Sequence, residues 1–318
     1  GGILPSLGGT RMWNYKTEMD ALNDVLRLSR GMTYKNSISG LNLGGGKAVI
    51  IGDARKQKSE ALMRRFGKFV NSLAGKYITA EDVGISPIDM TYVSMETDHV
   101  VGLPGKSGDP SPVTAHGVYV GMKACAKVQF GSDSLAGKKV AVQGVGHVGE
   151  YLVKSLAKEG AQVYIADIYE PTLKRVSKEY GAKVVGLEEI YDIDMDIYAP
   201  CALGATINDD TLSRLNCSII AGAANNQLKL EDIHGRAVME KGMIYAPDFA
   251  LNAGGVINCY SEVKGLSPEW AMSKADQIYD TIENIIKRSQ NENVPTYQIA
   301  NKMAEERIES ISKVKLPL

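Results

Sequence analysis

Two lysines and a run of glycines lie close together near the start of the chain. The stretch from Met32 to Lys47 contains Lys35, and three glycines at 44–46 immediately precede Lys47. Glycine allows close approach to the backbone, and side chains carried by such loops are often functional. The segment is therefore a candidate chemical centre, and a phosphate-binding loop is one interpretation of it. A lysine considered alone is more often a solvated surface charge.

The bulk composition favours small-molecule chemistry. The chain has 318 residues, 44% of them hydrophobic and 23% charged, which is enough for two globular domains. A formal net charge of -1 gives no basic surface for nucleic acid or for an anionic membrane. We therefore expect neither a nucleic-acid partner nor a membrane partner.

The cysteines indicate a reducing compartment. Four of them are spread along the chain without a CxxC pair or a histidine cluster, so we expect buried free thiols and no metal site: Cys125, Cys201, Cys217 and Cys259. No apolar run approaches the roughly 18 residues of a membrane span, and no signal peptide is recognisable. These features predict a cytoplasmic protein. Because the chain begins without an initiator Met, we also expect that it is numbered from within a longer protein.

Strands and helices alternate over the first hundred residues. Thr17 and Asp20 predict the start of a helix that Gly31 interrupts, and strands are expected at 48–51 and 77–80. A loop rich in Gly, Pro and Ser at 102–112 is the predicted domain boundary. We expect a final helix from Tyr297 to about Ser312 to return to the first domain. The predicted first domain is therefore 1–108 plus 295–318.

The second domain, 109–294, contains a more regular series of strands. These runs are rich in Val, Ile and Ala without polar alternation, as expected of parallel strands covered on both faces. The predicted strands are 138–143, 162–167, 183–185, 196–199, 218–221 and 243–246. The fold class is thus α/β with two domains: an N-terminal α/β substrate and oligomerisation domain, and a Rossmann-type doubly wound domain, with a cleft between them.

A dinucleotide fingerprint follows the first strand of this second series. Its glycines are Gly144, Gly146 and Gly149, in the spacing GxGxxG, with His147 and Val148 between them. The glycines permit a tight turn, close approach of a pyrophosphate and close packing of helix on strand. A glycine-rich turn without a ligand is the alternative.

An acidic residue stands at the expected distance from the fingerprint. Asp167 ends the next strand, where a carboxylate would bind the adenosine ribose hydroxyls and repel a 2′-phosphate. The sequence thus predicts NAD as the cofactor, in preference to NADP. A carboxylate that only caps the turn after the strand is the alternative for Asp167.

Taken in order, these motifs resemble the glutamate/leucine/phenylalanine/valine dehydrogenase family, and most closely its leucine dehydrogenases. The resemblance extends over essentially the whole chain. Besides Lys35, the glycine run with Lys47, and the NAD fingerprint, the matching motifs are 7–11 (LGGTR), 79–84 (TAEDVG), 200–206 (PCALGAT), 222–226 (GAANN) and 252–258 (NAGGVIN).

The resemblance implies an activity and a set of site residues. Members of the family couple reversible oxidative deamination of an L-amino acid to NAD reduction, which gives a 2-oxo acid and ammonium. Lys35 would pair with the substrate carboxylate, and Lys47, with Asp82 as its proton partner, would transfer protons. The backbone at Gly8 would lie near the substrate. The residues implied at the nicotinamide end of the cofactor are Thr114 and Asn225, and Asn252 is a further implied cofactor-binding residue.

The implied side-chain pocket is apolar, since its matching positions are Leu7, Met32, Ala80, Val256 and Cys259. An apolar pocket disfavours glutamate, whose second carboxylate would be buried unpaired. We therefore predict L-leucine and other branched-chain L-amino acids as substrates. Cys259 stands where the leucine members commonly carry Val, which would widen the pocket slightly.

Other readings remain open. Phenylalanine or valine dehydrogenase is the nearest alternative, and a non-catalytic NAD-binding subunit belongs to a different class. The intact set of Lys35, Lys47 and Asp82 speaks against the latter, since a binding module has no chemical need for it. By resemblance we also expect a homo-oligomer, an octamer among the leucine members.

Overall fold

The structure is a computed structural model that describes residues 5–106 and 108–314. Ser107 in the predicted boundary loop, and residues 1–4 and 315–318 of the predicted first domain, lie outside the described part. The chain divides into two compact units. The first comprises Gly1–Asp109, Val256–Pro268 and Met303–Leu318, and the second comprises Pro110–Gly255 and Glu269–Lys302.

These units differ from the predicted domain division at two segments. Residues 295–302 belong to the second unit, whereas the sequence placed them in the first domain. Residues 256–268 belong to the first unit, whereas the sequence placed them in the second domain. Glu262 gives part of the physical reason, because its carboxylate accepts a hydrogen bond of 3.0 Å from the backbone N–H of Gly102. The last helix contributes to the first unit from Met303, where the Ser37 hydroxyl donates to the carbonyl of Ala304.

Short parallel strands form the sheet of the first unit. They are β1 (Ser6–Trp13), β2 (Gly44–Gly45), β3 (Ala48–Ile51) and β4 (Tyr77–Ala80). Strand β1 is central: it pairs with β4 on one side and with β2 and β3 on the other. The sequence analysis did not predict β1 or β2, because glycine is depleted in strands.

Three helices accompany this sheet: α1 (Glu18–Ile38), α2 (Glu60–Ser72) and α3 (Pro87–Ser94). Helix α1 begins where predicted, since the Thr17 hydroxyl accepts from Asp20 N–H at 3.1 Å. The predicted interruption at Gly31 is wrong, because the helix continues to Ile38. A glycine costs a helix only about 1 kcal/mol relative to Ala. Lys35 therefore lies in the last turn of α1.

A second parallel sheet organises the other unit. Its strands are β5 (Lys139–Gln143), β6 (Gln162–Ala166), β7 (Lys183–Val184), β8 (Ile197–Pro200), β9 (Ile219–Ile220) and β10 (Ile244–Tyr245). Their order is β10-β9-β8-β5-β6-β7, and every pair is parallel. The order reverses direction beside β5, so this is a doubly wound sheet, as predicted.

Helices connect these strands and complete the fold. They are α4 (Ser111–Phe130), α5 (His147–Glu159), α6 (Glu170–Tyr180), α7 (Asp209–Arg214), α8 (Glu231–Glu240), α9 (Asp248–Leu251), α10 (Gly254–Lys264), α11 (Pro268–Asp276), α12 (Ile278–Glu292) and α13 (Thr296–Ser312). The single helix predicted from Ser267 to Arg288 is wrong, because it is divided at Gln277. The four cysteines are free thiols; Cys125 and Cys217 are buried, while Cys201 and Cys259 are only half-buried.

Candidate active site

Lys47 occupies a gap in the pairing of the first sheet. Strand β1 pairs with β2 as far as Leu7 opposite Gly45, and pairing with β3 resumes at Thr10 opposite Ala48. The register continues through the gap, which places Gly46 and Lys47 opposite Gly8 and Gly9. A Cβ on Gly8 would overlap the carbonyl oxygen of Gly46. The glycines therefore allow the strands to approach closely at the point where Lys47 projects.

Lys47 and Asp82 form a half-buried ion pair. The Lys47 Nζ lies 2.5 Å from Asp82 Oδ2, and the two side chains are 9% and 21% exposed. Asp82 follows β4, which runs beside β1, and a Cβ on Gly9 would stand 3.0 Å from the Asp82 Cβ. Burial alone would raise the pKa of Asp82. The charge and hydrogen bond of Lys47, the Val83 N–H and the charge of Arg11 outweigh it and hold the pKa below its ordinary value.

The pKa values of two neighbouring groups, the Glu81 carboxyl and the Cys259 thiol, are raised. The pKa of Glu81 is raised by burial first and then by the charges of Asp109 and Asp82. Burial raises the pKa of the Cys259 thiol to about 12, with Glu262 and Glu81 adding to the effect. Cys259 is thus an unreactive thiol at neutral pH and acts as a small, apolar residue.

Two residues that the sequence analysis did not single out complete the charge network. Arg11 on β1 donates from Nε to Asp82 at 3.3 Å and from Nη1 to Asp24 on α1 at 3.0 Å. Arg11 is the last residue of the LGGTR motif, and the sequence analysis assigned it no role. The available signal was a charged residue directly after a glycine pair, but its partner on α1 could not be identified without the fold.

Helix α1 places Met32 and Lys35 on one face, three residues apart. The Met32 Cγ would stand 3.2 Å from a Cβ on Gly8, and a Cβ on Gly45 would overlap the backbone of Thr33. The end of the helix is attached to β2 because the Asn36 side-chain amide donates to the carbonyl of Gly44 at 2.7 Å. The structure therefore brings Met32 to Gly8 and fixes the half-buried Lys35 beside this anchored end.

The other predicted pocket residues lie on β1, β4 and α10 of the same unit. Leu7 on β1 and Val256 on α10 are buried, with 2% and 6% of their surfaces exposed. Ala80 ends β4 and pairs in register with Gly9. Cys259 stands three residues after Val256 on α10, and so on the same face of that helix. These assignments to a side-chain pocket stay predictions.

The second unit carries the dinucleotide fingerprint at the end of β5. Gly144 has φ +98°, and a Cβ there would stand 2.5 Å from the Cβ of Ala202. A Cβ on Gly149 would overlap the Gly144 carbonyl, whereas a Cβ on Gly146 would meet no described atom within 4 Å. The exposed Gly146 is the N-cap of α5, which begins at His147 and Val148. This open, glycine-lined turn fits a pyrophosphate.

Asp167 lies directly after β6 and organises the same turn. Its carboxylate accepts from the N–H of Val145 at 2.8 Å and from the N–H of Tyr169 at 2.9 Å. The turn-capping alternative is therefore part of what this residue does. Each carboxylate oxygen has a second lone pair, so the residue retains acceptor capacity for ribose hydroxyls.

The three other predicted cofactor-binding residues, Thr114, Asn225 and Asn252, are also in the second unit. The Asn252 side-chain amide donates to Asn225 Oδ1 at 2.8 Å, and a Cβ on Gly255 would stand 3.4 Å from Thr114 Oγ1. Asn252 is 6% exposed, and its Oδ1 has no hydrogen-bond partner among the described residues. A buried carbonyl oxygen without a donor is suited to accept one from a bound amide.

Within residues 5–106 and 108–314, no group of three or more His, Cys, Asp or Glu side chains could hold a metal ion. In the same ranges no helix is both long and apolar enough to cross a membrane.

Comparison with known proteins identifies the family. Residues 2–99 match the model described as Glu/Leu/Phe/Val dehydrogenase, dimerisation domain, and residues 164–315 match that of Glutamate/Leucine/Phenylalanine/Valine dehydrogenase. A leucine dehydrogenase of Geobacillus stearothermophilus is 55% identical over 316 residues, covering 98% of this chain and 86% of the relative. The chain belongs to the Glu/Leu/Phe/Val dehydrogenase family.

Other members of the family differ in the amino acid that their names give. A phenylalanine dehydrogenase of Thermoactinomyces intermedius is 43% identical over 316 residues, 98% of this chain and 86% of the relative. The crystal structure of an L-tryptophan dehydrogenase from Nostoc punctiforme superposes with a TM-score of 0.90 at 43% identity, covering 97% of this chain and 90% of that one. The predicted two-domain α/β fold and amino-acid dehydrogenase class are thus confirmed.

Proposed function

We propose that this dehydrogenase catalyses the reversible, NAD-dependent oxidative deamination of L-leucine and other branched-chain L-amino acids. The products are the 2-oxo acid and ammonium. The observation that carries the proposal is the Lys47–Asp82 pair, 2.5 Å apart, which lies at a gap in the strand pairing and shares its carboxylate oxygen with Arg11. A paired amine and carboxylate at such a place can exchange protons with a substrate, which a purely structural ion pair need not do.

The substrate class rests on the character of the predicted pocket. Leu7, Ala80 and Val256 carry no charge and no polar group that could compensate a second carboxylate. A branched aliphatic side chain, in contrast, gains from burial against them. The Geobacillus relative named leucine dehydrogenase, at 55% identity, supports the same class.

In the proposed reaction each side chain has one task. The Lys35 ammonium pairs with the substrate carboxylate and orients Cα. The substrate ammonium loses a proton to solvent, and Cα then loses a hydride, which leaves an iminium carbon. Lys47, as the neutral amine, takes a proton from water as the water oxygen attacks that carbon, and it gives this proton to the nitrogen of the resulting carbinolamine. The carbon–nitrogen bond breaks as the hydroxyl proton passes, through Lys47 and its partner Asp82, to the departing nitrogen, which leaves as ammonium and gives the 2-oxo acid.

NAD supplies the hydride acceptor when it is bound. Gly144, Gly146 and Gly149, with the start of α5 at His147 and Val148, would hold its pyrophosphate. Asp167 would bind the adenosine ribose, where its negative charge disfavours a 2′-phosphate. Thr114, Asn225 and Asn252 would hold the nicotinamide end, and the buried Asn252 Oδ1 would accept from the carboxamide.

A second candidate is an aromatic substrate. Ala80 and Cys259 are both small, and the phenylalanine dehydrogenase relative is 43% identical over nearly the whole chain. A larger substrate side chain could occupy the space that these two residues leave. The higher identity to the leucine dehydrogenase favours the branched-chain assignment.

A substrate panel tests the proposal. The purified protein is incubated with NAD and each of L-leucine, L-valine, L-isoleucine, L-phenylalanine and L-glutamate, and reduced cofactor is followed by its absorbance. We expect the highest kcat/KM for a branched-chain substrate and none measurable for L-glutamate. A preference for L-phenylalanine would support the second candidate. Absence of turnover with every amino acid would contradict the proposed activity.

The proposed assembly rests on the family match of the first domain, and the proposed location rests on the cysteines. Because residues 2–99 match a dimerisation-domain model, we propose a homo-oligomer, with an octamer as the expected form. Light scattering of the purified protein measures its subunit number, and a monomeric mass would contradict this expectation. The four free thiols fit a reducing compartment, so we propose the cytoplasm.

A further inference from the structure

Arg11 links the proposed proton-transfer pair to helix α1. Its side chain is 22% exposed, and its guanidinium spans two carboxylates: Nε lies 3.3 Å from Asp82 Oδ2 and Nη1 lies 3.0 Å from Asp24 Oδ2. Lys47 contacts the same Oδ2 atom of Asp82. Two cations therefore meet on one carboxylate oxygen, and only one of them belongs to the proposed chemistry.

The far side of Arg11 is itself held in place. Asp24 also accepts from the Tyr15 hydroxyl at 2.6 Å and, on its other oxygen, from Arg27 Nη2 at 3.0 Å. Hydrogen bonds from Tyr15 and Arg27 and the charge of Arg11 lower the pKa of Asp24, although burial alone would raise it. Asp24 is thus an ionised acceptor at neutral pH. It fixes Arg11 in the orientation that reaches Asp82.

We propose that Arg11 is a positioning residue that locks the Asp82 carboxylate against Lys47 by bridging it to Asp24 on α1. This inference rests on the proposed deamination for its kinetic consequence, but the bridge itself can be tested separately. Without Arg11, Asp82 would keep one cationic partner and could rotate away from Lys47. A displacement of about 1 Å at a reacting group can cost about 100-fold in rate.

The charges around Asp82 define what removal of Arg11 would do. Two cations favour the ionised form of Asp82: Lys47, from the gap beside β3, and Arg11, from β1. The charge of Asp82 in turn adds to the effect of burial in raising the pKa of the Glu81 carboxyl, at the end of β4, and of the Tyr77 hydroxyl. Loss of one cation favours the protonated form of every group that faces it. Asp82 is such a group, so its ionised form would require a higher pH without Arg11. The acid limb of the activity profile should therefore move to higher pH.

Three variants separate the charge of Arg11 from its geometry. Arg11→Met removes both, so we expect kcat to fall by about 10- to 100-fold and the acid limb of kcat/KM to rise by about one pH unit. Arg11→Lys keeps the charge but cannot span two carboxylates. For it we expect an unmoved acid limb with a lowered kcat.

Arg27→Gln is the matched control, because Arg27 contacts the same Asp24 but not Asp82 among the contacts of the described residues. Both kcat and the acid limb should match the unsubstituted protein. A lowered kcat in Arg11→Met without movement of the limb would show a general structural role and overturn the proposal. A kcat in Arg11→Lys equal to that of the unsubstituted protein would overturn the bridging role.

A readout without turnover distinguishes failure of this inference from failure of the proposed function. Carbon-13 NMR follows the titration of the Asp82 carboxyl, assigned with Asp82→Asn, in the unsubstituted protein and in Arg11→Met. Asp82 should titrate at a higher pH in the variant. The same titration pH would overturn the proposal, whether or not any amino acid is turned over. If Arg11→Met does not fold, Arg11→Lys carries the test: its Asp82 titration should stay unmoved, and a shifted one would overturn the proposal.

Discussion

Two Lys–Asp pairs in the first unit have nearly the same geometry but different surroundings. Lys47 lies 2.5 Å from Asp82, and Lys58 lies 2.7 Å from Asp89. The Asp82 side chain is 21% exposed, against 8% for that of Asp89. Distance alone therefore does not show which pair does chemistry.

The Lys58–Asp89 pair binds backbone groups and has a structural role. Asp89 accepts from the Ser86 N–H at 2.7 Å and from the Ser86 hydroxyl at 2.8 Å, which completes a capping box at the start of α3. Lys58 also donates to the carbonyl of Gly84 at 3.0 Å. Both members thus have local structural partners, and the pair stabilises the turn that leads into α3.

The first pair faces a backbone without side chains. Gly8 and Gly9 lie opposite the gap that holds Lys47, and Asp82 shares its oxygen with Arg11. The difference teaches that a candidate catalytic pair is recognised by the interrupted strand pairing and the extra cation beside it. Its hydrogen-bond length would not have distinguished it from a helix cap.

The largest expected effect comes from Lys47→Ala. Removal of the amine should lower kcat by about 100- to 10,000-fold, the usual range for a lost acid–base group. Binding of NAD, measured by calorimetry, should stay unchanged, because the fingerprint residues belong to the second unit. Lys58→Ala is the control, since it also removes the lysine of a Lys–Asp pair, and its kcat should stay within about threefold. Retained activity in Lys47→Ala would refute the assignment of the amine.

A smaller effect, on stability, is expected from Asp89→Asn. The substitution removes the charged partner of Lys58 and weakens the capping box, so the free energy of unfolding at neutral pH should fall by about 1–2 kcal/mol. Urea unfolding measures this difference. Turnover should stay near that of the unsubstituted protein, and a loss comparable to that of Lys47→Ala would erase the distinction between the two pairs.

The pH dependence of that stability difference has a defined sign. Burial alone would raise the pKa of Asp89, but the hydrogen bonds from Lys58 and Ser86 lower it below its ordinary value of 3.8. A lowered folded-state pKa stabilises the protein above the unfolded value, and the contribution is lost as the pH falls through the folded value. The deficit of Asp89→Asn should therefore be full at neutral pH and shrink below about pH 4. A deficit that grows on acidification would contradict this assignment.

Local patterns were sufficient to predict part of the molecule. The glycines of the NAD fingerprint act on their immediate neighbours, so their spacing alone predicted the turn between β5 and α5. Thr17 likewise predicted the start of α1 through a bond to Asp20. Lys47 and Asp82 were selected together only through the family motifs.

Sequence-based predictions were missing or wrong for features that depend on contacts between distant parts of the chain. Glycine predicted the end of a helix at Gly31, but α1 continues past it and is anchored to β2 by Asn36. The strand through Gly8 was not recognised because its conformation is set by pairing on both sides. Arg11 meets Asp24 only because a strand and a helix lie side by side, and the sequence does not encode that juxtaposition locally.

The close approach of Gly8 to Gly46 also limits how the enzyme can be engineered. Any larger residue at either position would collide with its surroundings, with the Gly46 carbonyl in one case and the Tyr77 ring in the other. In a mutant library that randomises these two positions to obtain new substrates, most variants would therefore fail to fold. Randomising Val256 and Cys259, which share one face of α10, leaves the strands untouched and keeps more of the library productive.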